Sequence, residues 1–311
     1  MSSIVVVGTV ALDSVKTPSG QSREALGGSA VYFSLAARLF VPVHLVGVVG
    51  QDFPEEHKHS LRTRGVNLEG LDVLPGKTFR WAGAYGKGLG AAKTLETQLN
   101  VFEVFRPKLK PAHKAAPVVF LANAYPELQW EVLSQMTEPS IIACDTMNYW
   151  INSKRPALKE LLSRVDIFLI NEAEARKLAR EADTCRAARK LAEWGPSVVV
   201  VKKGEHGALL VADGRLYAFP AYPLVDVIDP TGAGDTFAGG FLGYLASSGN
   251  LKEALEPARL KRAVLYGSIL ASFNVQDFST RRLEKLNPDD LRHRYRDFVD
   301  LLTVEDGILA A

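Results

Sequence analysis

The chain has 311 residues, of which 47% are hydrophobic, so it can bury a large core and is not an intrinsically disordered protein. Its 37 Lys and Arg residues against 35 Asp and Glu residues give a net charge of +2, which excludes the strongly basic surface of a dedicated nucleic-acid-binding protein. The two cysteines, Cys144 and Cys185, lack a metal-binding spacing, and no apolar run reaches about 18 residues, so we expect a cytoplasmic protein without a membrane span.

Short runs rich in β-branched residues alternate with helical patterns along the chain. Continuous apolar runs of this length are typical of strands that are buried on both faces, and their alternation with helices favours a mostly parallel sheet. The fold class is therefore predicted to be α/β. The predicted strands are 4–7, 43–49, 118–121, 141–143, 167–170 and 198–201, and the predicted helices are 29–40, 54–64, 126–136, 155–164, 172–180, 186–194 and about 287–302.

One interval breaks this alternation and indicates a second, smaller sheet. Residues 78–85 and 97–105 are predicted to be strands joined by a glycine-rich turn, and a similar extended, polar piece precedes the first long helix. We expect these pieces to form a small antiparallel sheet that projects from the main body. The chain is then one domain over 1–311, with an excursion formed by about 14–26 and 77–105.

The segment that leads to the most specific chemistry is a glycine-rich loop. A strand-like run at 225–228 leads into it, and apolar residues at steps of four after it predict a helix. Unpaired N–H groups of Gly232, Ala233 and Gly234 would then point at a ligand, and the helix dipole favours an anion there. Asp235 lies in the same turn, where it can accept a proton from an alcohol while the amides hold a phosphoryl group.

A purely structural interpretation of the same residues is that Asp235 caps the helix and that the glycines permit close packing. We prefer the packing role for Gly239, Gly240 and Gly243. The loop is not a Walker A motif, because no Gly-Lys-Ser/Thr follows its glycines, and it does not fit Gly-x-Gly-x-x-Gly, because Phe237 takes the third position. The sequence therefore predicts a phosphate-binding loop of another kind.

The run from Asp229 to Phe237 resembles the C-terminal signature of the ribokinase or pfkB family of carbohydrate and nucleoside kinases. The resemblance covers nearly the whole chain. Its further matches, in the family's order, are Gly and Asp after the first strand (8–13), Gly-Gly at a helix start (27–28), Val-Gly-x-x-Gly-x-Asp (46–52) and Asn-x-x-Glu (171–174). It implies a three-layer, ribokinase-like fold with a mostly parallel central sheet and a small β lid, and ATP-dependent transfer of the γ-phosphate to a hydroxyl group of a nucleoside or sugar.

The resemblance also assigns roles in phosphate transfer. It implies that Asp235 is the catalytic base and that the amides of 232–234 form an anion hole for the γ-phosphate. Asn171 and Glu174 would position Mg²⁺ through water and phosphate, since Mg²⁺ usually keeps several waters. The alternative for this pair is a helix N-cap and a surface glutamate.

Two further nucleotide-side positions follow from the resemblance. Lys203 and Gly204 fall where the family binds nucleotide phosphate and ribose, although lysine is not the frequent family residue, so Lys203 can also be a strand-end charge. Asp229 and Thr231 match positions at which some members hold a monovalent cation such as K⁺ by backbone oxygens.

On the acceptor side, Asp13, Gly27 and Gly28 match the family's acceptor-binding positions, and a carboxylate there would accept hydrogen bonds from vicinal hydroxyl groups. The projecting strands would be the family's lid, which excludes water from the reaction. Aromatic residues on the lid either stack on a base or sugar or form the lid's own small core. They are Phe79, Trp81, Tyr85 and Phe102.

Two departures from the family pattern leave the acceptor open. Tyr32 and Ala11 stand where ribokinase-like members often have Asn, which argues against ribose itself. The aromatic lid favours a nucleoside, and an inositol or another sugar stays open. Further alternatives are a sugar-phosphate kinase and a non-catalytic ligand-binding protein on the same fold, and a homodimer through the lid is a further expectation.

Overall fold

The computed structural model describes residues 2–303; residue 1 and 304–311, the ends of the predicted domain, lie outside the described residues. The strands in this range are β1 (Ile4–Val7), β2 (Ala11–Thr17), β3 (Gly20–Gly27), β4 (Val43–Gly50), β5 (Val66–Leu74), β6 (Phe79–Ala84), β7 (Lys93–Gln98), β8 (Val118–Leu121), β9 (Ile141–Cys144), β10 (Ile167–Asn171), β11 (Val198–Lys202), β12 (Ala208–Ala212) and β13 (Arg215–Phe219). The α-helices are α1 (Ser29–Ala37), α2 (Glu55–Thr63), α3 (Pro111–Lys114), α4 (Pro126–Leu133), α5 (Asn148–Ser153), α6 (Arg155–Leu162), α7 (Glu172–Ala179), α8 (Thr184–Ala192), α9 (Ala233–Ala246), α10 (Pro257–Asn274), α11 (Arg281–Glu284) and α12 (Pro288–Leu302).

A nine-stranded sheet forms the centre of the molecule, in the order β13-β12-β11-β10-β9-β8-β1-β4-β5. The seven strands from β11 to β5 are parallel, and β12 and β13 continue the sheet antiparallel. Alternate residues of β1 supply two separate cores, Ile4 and Val6 on one face and Val5 and Val7 on the other. Both faces are therefore covered, which is why the strands read as continuous apolar runs.

The helices form a layer on each face of the central sheet. Helices α1, α9 and α10 bury their apolar residues in the core that contains Ile4, whereas α4, α6, α7 and α8 bury theirs in the core that contains Val5. The predicted three-layer α/β architecture with a mostly parallel sheet is thus confirmed. None of the helices within residues 2–303 combines the length and the apolar character that crossing a bilayer requires.

The interrupting segments form a separate four-stranded sheet, in the order β3-β2-β6-β7, which we call the small sheet. Its outer pairs are antiparallel, but β2 and β6 pair in parallel, so the sheet is mixed rather than antiparallel as expected. The predicted strand 97–105 was wrong: β7 ends at Gln98, and Val101 and Phe102 lie in a 3₁₀ turn that packs into the main core. The apolar residues that suggested a strand there serve the body and not the small sheet.

Asp52 fastens the small sheet to the main body. Its carboxylate accepts hydrogen bonds from the amide and the hydroxyl of Thr78, at 2.7 and 2.8 Å, just before β6 begins. It also forms an ion pair of 2.8 Å with Arg80. The Val-Gly-x-x-Gly-x-Asp match therefore marks the joint between the two sheets.

The strand-like run at 225–228 is not a strand. Val225 is 99% exposed, and the amides of Ile228 and Asp229 donate to the carbonyl oxygen of Val275 instead of to a neighbouring strand. The run belongs to neither sheet. It delivers the glycine-rich loop to the start of α9, beside the carboxyl ends of the parallel strands.

Candidate active site

The glycine-rich loop turns into α9 through a left-handed residue. Gly232 has φ of +75°, and a Cβ there would lie 2.5 Å from the ring of Tyr32, so only glycine fits both the conformation and the space. The Ala233 amide donates to the carbonyl oxygen of Pro230 at 3.1 Å and closes the turn. This leaves the amides of Gly232 and Gly234 as the first candidates for an anion, and the role of Ala233 in an anion hole stays a prediction.

Asp235 lies in the first turn of α9, half-buried in the protein. Burial raises the pKa of its carboxyl group to about 6, opposed by the positive charge of Lys202 and by its own amide. Lys202 ends β11, and its Nζ donates to the carbonyl oxygen of Gly234 at 3.3 Å. A carboxylate, a cation and a helix N-terminus therefore meet at one point.

Two more carboxyl groups lie beside Asp235 and Lys202. Asp145 follows β9 and is 4% exposed, and its Oδ1 has no hydrogen-bond partner among the described residues. Burial and then the charge of Asp235 raise the pKa of Asp145 well above its usual range, while Lys202 lowers it. Glu174 is 7% exposed, and its pKa is raised by burial and lowered by Lys202. Together these side chains form an acidic cluster around one lysine.

Asn171 and Glu174 form a capping box at the start of α7. The Oδ1 atom of Asn171 accepts from the Glu174 amide at 2.9 Å, and Glu174 Oε2 accepts from the Asn171 amide at 3.3 Å. The N-cap alternative thus holds for Asn171, but Glu174 is buried at the site instead of lying on the surface. Capping fixes the Glu174 carboxylate in place, and the Mg²⁺ role of the pair stays a prediction.

Asp13 of β2 faces the same site from the small sheet. It accepts a hydrogen bond from the Gly28 amide, and a Cβ on Gly27 would overlap its carboxylate. Gly28, with φ of +98°, is the N-cap of α1. Burial, with the charges of Asp235 and Asp229, raises the pKa of Asp13 to about 7. The two glycines therefore hold a buried carboxylate within electrostatic reach of Asp235.

The four aromatic residues predicted on the lid fall into two pairs. Phe79 and Phe102 contact each other edge to face at 5.9 Å and join the core of the main body. Trp81 and Tyr85 lie outside that core. The sequence left stacking and packing open for all four, and the structure separates them.

Trp81 is the register partner of Asp13 across the β2–β6 pair, so both side chains project from the same face of the small sheet. Its indole ring lies over Gly83, where a Cβ would overlap the ring. Tyr85 reaches the glycine-rich loop, where its hydroxyl is 3.2 Å from Thr231 Oγ1. These two residues bring aromatic side chains to the face of the small sheet that carries Asp13.

Asp229 and Thr231 brace the glycine-rich loop. Asp229 is 1% exposed, and its two carboxylate oxygens accept from the amides of Thr231 and Ser279 at 2.9 and 3.2 Å. Asn274 Nδ2 donates to the Thr231 carbonyl oxygen at 2.7 Å. The side chain of Asp229 thus orders the backbone here, and binding of a monovalent cation stays a prediction.

Lys203 and Gly204 begin the 3₁₀ turn that follows β11. The Lys203 amide donates to the carbonyl oxygen of Gly207 at 2.8 Å, and Gly204 has φ of +58°. The turn borders the site through the neighbouring Lys202. Nucleotide binding by Lys203 and Gly204 stays a prediction.

The glycines further along α9 are packing residues, as predicted. A Cβ on Gly239 would overlap the Phe33 carbonyl oxygen of α1, and one on Gly240 would lie 2.7 Å from the Tyr266 carbonyl oxygen of α10. A Cβ on Gly243 would lie 2.7 Å from the ring of Phe40. The helix that carries Asp235 is therefore in backbone contact with both neighbours.

Sequence patterns missed Lys202, Asp145 and Tyr32 as residues of this site. Lys202 and Asp145 come directly at or after the ends of buried parallel strands, and such ends meet at one sheet edge, so their positions were an available signal. Tyr32 is 1% exposed, its hydroxyl has no hydrogen-bond partner within residues 2–303, and burial, followed by the charge of Asp13, raises its pKa. No sequence signal placed its ring under Gly232.

Comparison with protein families gives one match that spans most of the chain. A model described as "pfkB family carbohydrate kinase" matches residues 1–286. Among curated proteins, a cytidine kinase of Thermococcus kodakarensis is 32% identical over 262 residues, which cover 82% of this chain and 92% of that protein. A nucleoside kinase of Methanothermobacter thermautotrophicus is 26% identical over 271 residues, 83% of this chain and 81% of its own length.

Solved structures share the fold at lower identity. The nucleoside kinase of Burkholderia thailandensis in complex with inosine has a TM-score of 0.78 at 16% identity, covering 96% of this chain and 99% of its own. The Methanocaldococcus jannaschii nucleoside kinase, described as an archaeal member of the ribokinase family, has a TM-score of 0.75 at 19% identity, with 96% and 99% coverage. These likenesses show the ribokinase-like fold.

Proposed function

Because the chain belongs to the pfkB family of carbohydrate kinases, we propose that it transfers the γ-phosphate of ATP to a hydroxyl group of a nucleoside. Family membership and the named relatives make it a phosphotransferase whose acceptor is a hydroxyl group of a nucleoside or a sugar. The choice of a nucleoside and the roles of individual residues are the proposal. One observation carries these roles: Asp13 of the small sheet lies within electrostatic reach of Asp235, which is in the first turn of α9.

Asp235 acts as the general base in this proposal. With a pKa of about 6 it is largely ionised at neutral pH and still basic enough to take a proton. The acceptor oxygen forms a bond to the γ-phosphorus, the bond from that phosphorus to the β-γ bridging oxygen breaks, and the hydroxyl proton goes to Asp235. The products are the phosphorylated acceptor and ADP, and the amides of Gly232 and Gly234 donate to the oxygens of the phosphoryl group under transfer.

Two of the buried carboxyl groups offer oxygens to a divalent cation. Asp145 Oδ1 is buried without a partner among the described residues, and the carboxylate of Glu174 is held beside it by the capping box with Asn171. Carboxylate and water oxygens are the ligands that Mg²⁺ prefers. We assign Asn171 and Glu174 to hold Mg²⁺ through water, and Mg²⁺ bound there would neutralise part of the triphosphate charge.

The nucleotide side of the proposal keeps the remaining predicted residues. Lys203 and Gly204 contact the nucleotide from the turn after β11, and Asp229 and Thr231 hold a monovalent cation through backbone oxygens. If they do, replacing K⁺ by a tetraalkylammonium ion will lower the rate, and a rate independent of the cation will remove this part of the proposal.

A nucleoside is favoured as acceptor by Trp81. Its place beside Asp13 offers an aromatic face for a base while the carboxylate accepts hydrogen bonds from sugar hydroxyl groups. The relatives named cytidine kinase and nucleoside kinase, and the inosine complex of the Burkholderia thailandensis protein, support the same class. The small sheet would then serve as the lid that excludes water.

An acceptor screen tests the proposal. The purified chain is given ATP and Mg²⁺ with nucleosides, free sugars, inositols and sugar phosphates in turn, and ADP release is measured. We expect a nucleoside to have a kcat/KM at least about tenfold above that of its free sugar, because base contacts add binding energy. A better sugar, inositol or sugar phosphate would overturn the acceptor class, and ligand binding without ADP release would support a non-catalytic protein.

The proposal also includes a cytoplasmic location and a homodimeric assembly. Cys144 and Cys185 are both free, in line with a reducing cytoplasm. The edge strand β7 of the small sheet has no buried residue and can pair with a second copy. We propose a homodimer through this sheet, which light scattering of the chain with and without charge substitutions on β7 would test.

A further inference from the structure

Lys202 occupies an unusual place for a cation. It ends β11 with its ammonium group at the N-terminus of α9, where Nζ donates to the Gly234 carbonyl oxygen at 3.3 Å. The helix dipole favours anions at this end and disfavours a positive charge. The positive charge of Lys202 therefore needs negatively charged groups nearby to stabilise it.

The carboxyl groups around Lys202 stabilise its positive charge only in part. Asp145, Glu174 and Asp235 all feel its charge, but Lys202 forms no ion pair within 4.0 Å in the part of the chain that the structure describes. An ammonium group has three N–H donors, and the Gly234 carbonyl oxygen uses one of them. Within residues 2–303 this is the hydrogen bond that the ammonium group makes, so its other donors are available to a ligand.

Gly234 is what lets the ammonium group come so close. A Cβ at this position would lie 2.9 Å from Lys202 Nζ, so an alanine would push the lysine away from the turn. The same turn presents the Gly234 and Gly232 amides, which the proposed function assigns to a phosphoryl group. Lysine and amides thus converge on one spot from two elements, β11 and α9.

We propose that Lys202 binds the phosphoryl group under transfer, together with the amides of the glycine-rich loop, and that Gly234 is a glycine to allow it. This inference rests on the proposed function. As the γ-phosphorus exchanges its bridging oxygen for the acceptor oxygen, negative charge spreads over its other oxygens, and a cation already placed beside them needs no rearrangement. Before ATP binds, the same charge keeps Asp235 ionised next to the other carboxyl groups.

The test compares Lys202→Met and Lys202→Arg with a control, Lys190→Met. The control removes the ion pair between Lys190 of α8 and Glu181. We expect Lys202→Met to lose about 10²–10³-fold in kcat, as when one donor to a developing oxyanion is removed. Lys202→Arg keeps the charge but not the compact geometry, and we expect it to retain more activity than the Met variant. Lys190→Met should match the wild type.

Two readouts separate phosphate binding from a structural role. Calorimetry should show that Lys202→Met weakens a non-hydrolysable ATP analogue about tenfold or more while ADP binding changes by less than about twofold. The bend of kcat/KM that belongs to Asp235, near pH 6 in the wild type, should also move to higher pH, because Asp235 loses the cation that lowers its pKa while Asp13, Asp145 and Tyr32 still lie within electrostatic reach.

Three outcomes overturn the inference. The first is a kcat of Lys202→Met within about threefold of the wild-type value. The second is an equal loss of ATP-analogue and ADP binding in Lys202→Met. The third is that Lys202→Met and Lys202→Arg both have a lowered melting temperature and both lose activity fully. Failure of the proposed function looks different, since the wild type would then release no ADP with any acceptor. Analogue binding is measured without turnover, so it decides the inference in either case.

Discussion

The proposed function assigns one side of the site to phosphate and the other to the acceptor, and the two sides are built differently. The phosphate side consists of strand ends and a helix N-terminus of the main body, with Asp145 and Glu174 almost fully buried. The acceptor side consists of the small sheet, in which Trp81 is half-buried and β7 has no buried residue. Asp13, on the inner strand β2, is 5% exposed and so is as buried as Asp145 and Glu174.

In the proposed function, this difference separates the residues that govern the chemical step from those that govern the choice of acceptor. Groups that depend on burial for their proton affinity are fixed by the core, so changes there act on the chemical step. Side chains on a thin, exposed sheet can change with little cost to the core, so changes there act on the choice of acceptor. The predictions below test this division from the largest expected effect to the smallest.

The largest effect is expected for Asp235→Asn. Removal of a general base costs about 10²–10⁴ in rate, so kcat should fall by this factor, while ATP binding persists. The variant should fold, because it replaces a carboxyl group whose burial is unfavourable when ionised. Steady-state kinetics and calorimetry measure both quantities, with the exposed Asp226→Asn as the matched control. Turnover near that of the wild type would break the comparison on the phosphate side.

Trp81→Ala should act on the acceptor alone. Base stacking on an aromatic side chain contributes about 1–3 kcal/mol, so KM for a nucleoside should rise about 5- to 150-fold. The KM for ATP, and that for a free sugar, should stay the same. Leu95→Ala on β7, a residue that is 59% exposed, is the control on the same sheet. An equal rise in KM for free sugar would assign Trp81 to the sugar or to the lid's structure.

The pH profile should show both sides of the site. Burial raises the pKa of Asp13 to about 7 and that of Asp235 to about 6, and both are needed as carboxylates. Activity is therefore complete above these values and lost as the pH falls, with kcat/KM bending first near 7 and again near 6. In Asp13→Asn, the bend near 7 should vanish and that near 6 should remain. A flat profile down to pH 5 would contradict the role of both groups.

The smallest effect is expected for Tyr85→Phe. One hydrogen bond, between its hydroxyl and Thr231 Oγ1, is lost, and such bonds contribute about 0.5–1.5 kcal/mol. We expect a rise of about 2- to 12-fold in acceptor KM. A double-mutant cycle with Thr231→Val measures the coupling, and additive effects of the two changes would show that this contact does not link the two sides.

Sequence patterns were most reliable where the physics is local and strong. Strands such as β1 and β8 have the predicted bounds because buried parallel strands need uninterrupted apolar residues. The run at 225–228 is interrupted by Asp226 and is not a strand, since the amides of Ile228 and Asp229 donate to the Val275 carbonyl oxygen, a long-range contact that the sequence does not reveal. The β12–β13 hairpin was not predicted, although its Asp213-Gly214 turn is a recognised signal.

Site residues that belong to a sequence motif were predicted better than those that reach the site only through the tertiary fold. Motif matches found Asp13, Asp235 and Glu174, each of which lies in one acidic region of the structure. Lys202 was overlooked in favour of its neighbour Lys203, because a sequence shows two adjacent lysines as equivalent, whereas Lys202 ends β11 and Lys203 already belongs to the turn that follows. Tyr32 could be recognised as a departure from the family pattern, but its place under Gly232 is a tertiary fact.

The close packing of α9 sets limits on how this protein can change. Gly239 and Gly240 allow backbone contact of the helix with α1 and α10. These contacts, about one turn after Asp235, fix the position of that residue. A random-mutagenesis map of activity should therefore show an intolerant track along the whole buried length of α9, and not an island around the base. Future variants of this enzyme have their freedom in the small sheet, and the route to a new acceptor leads through it.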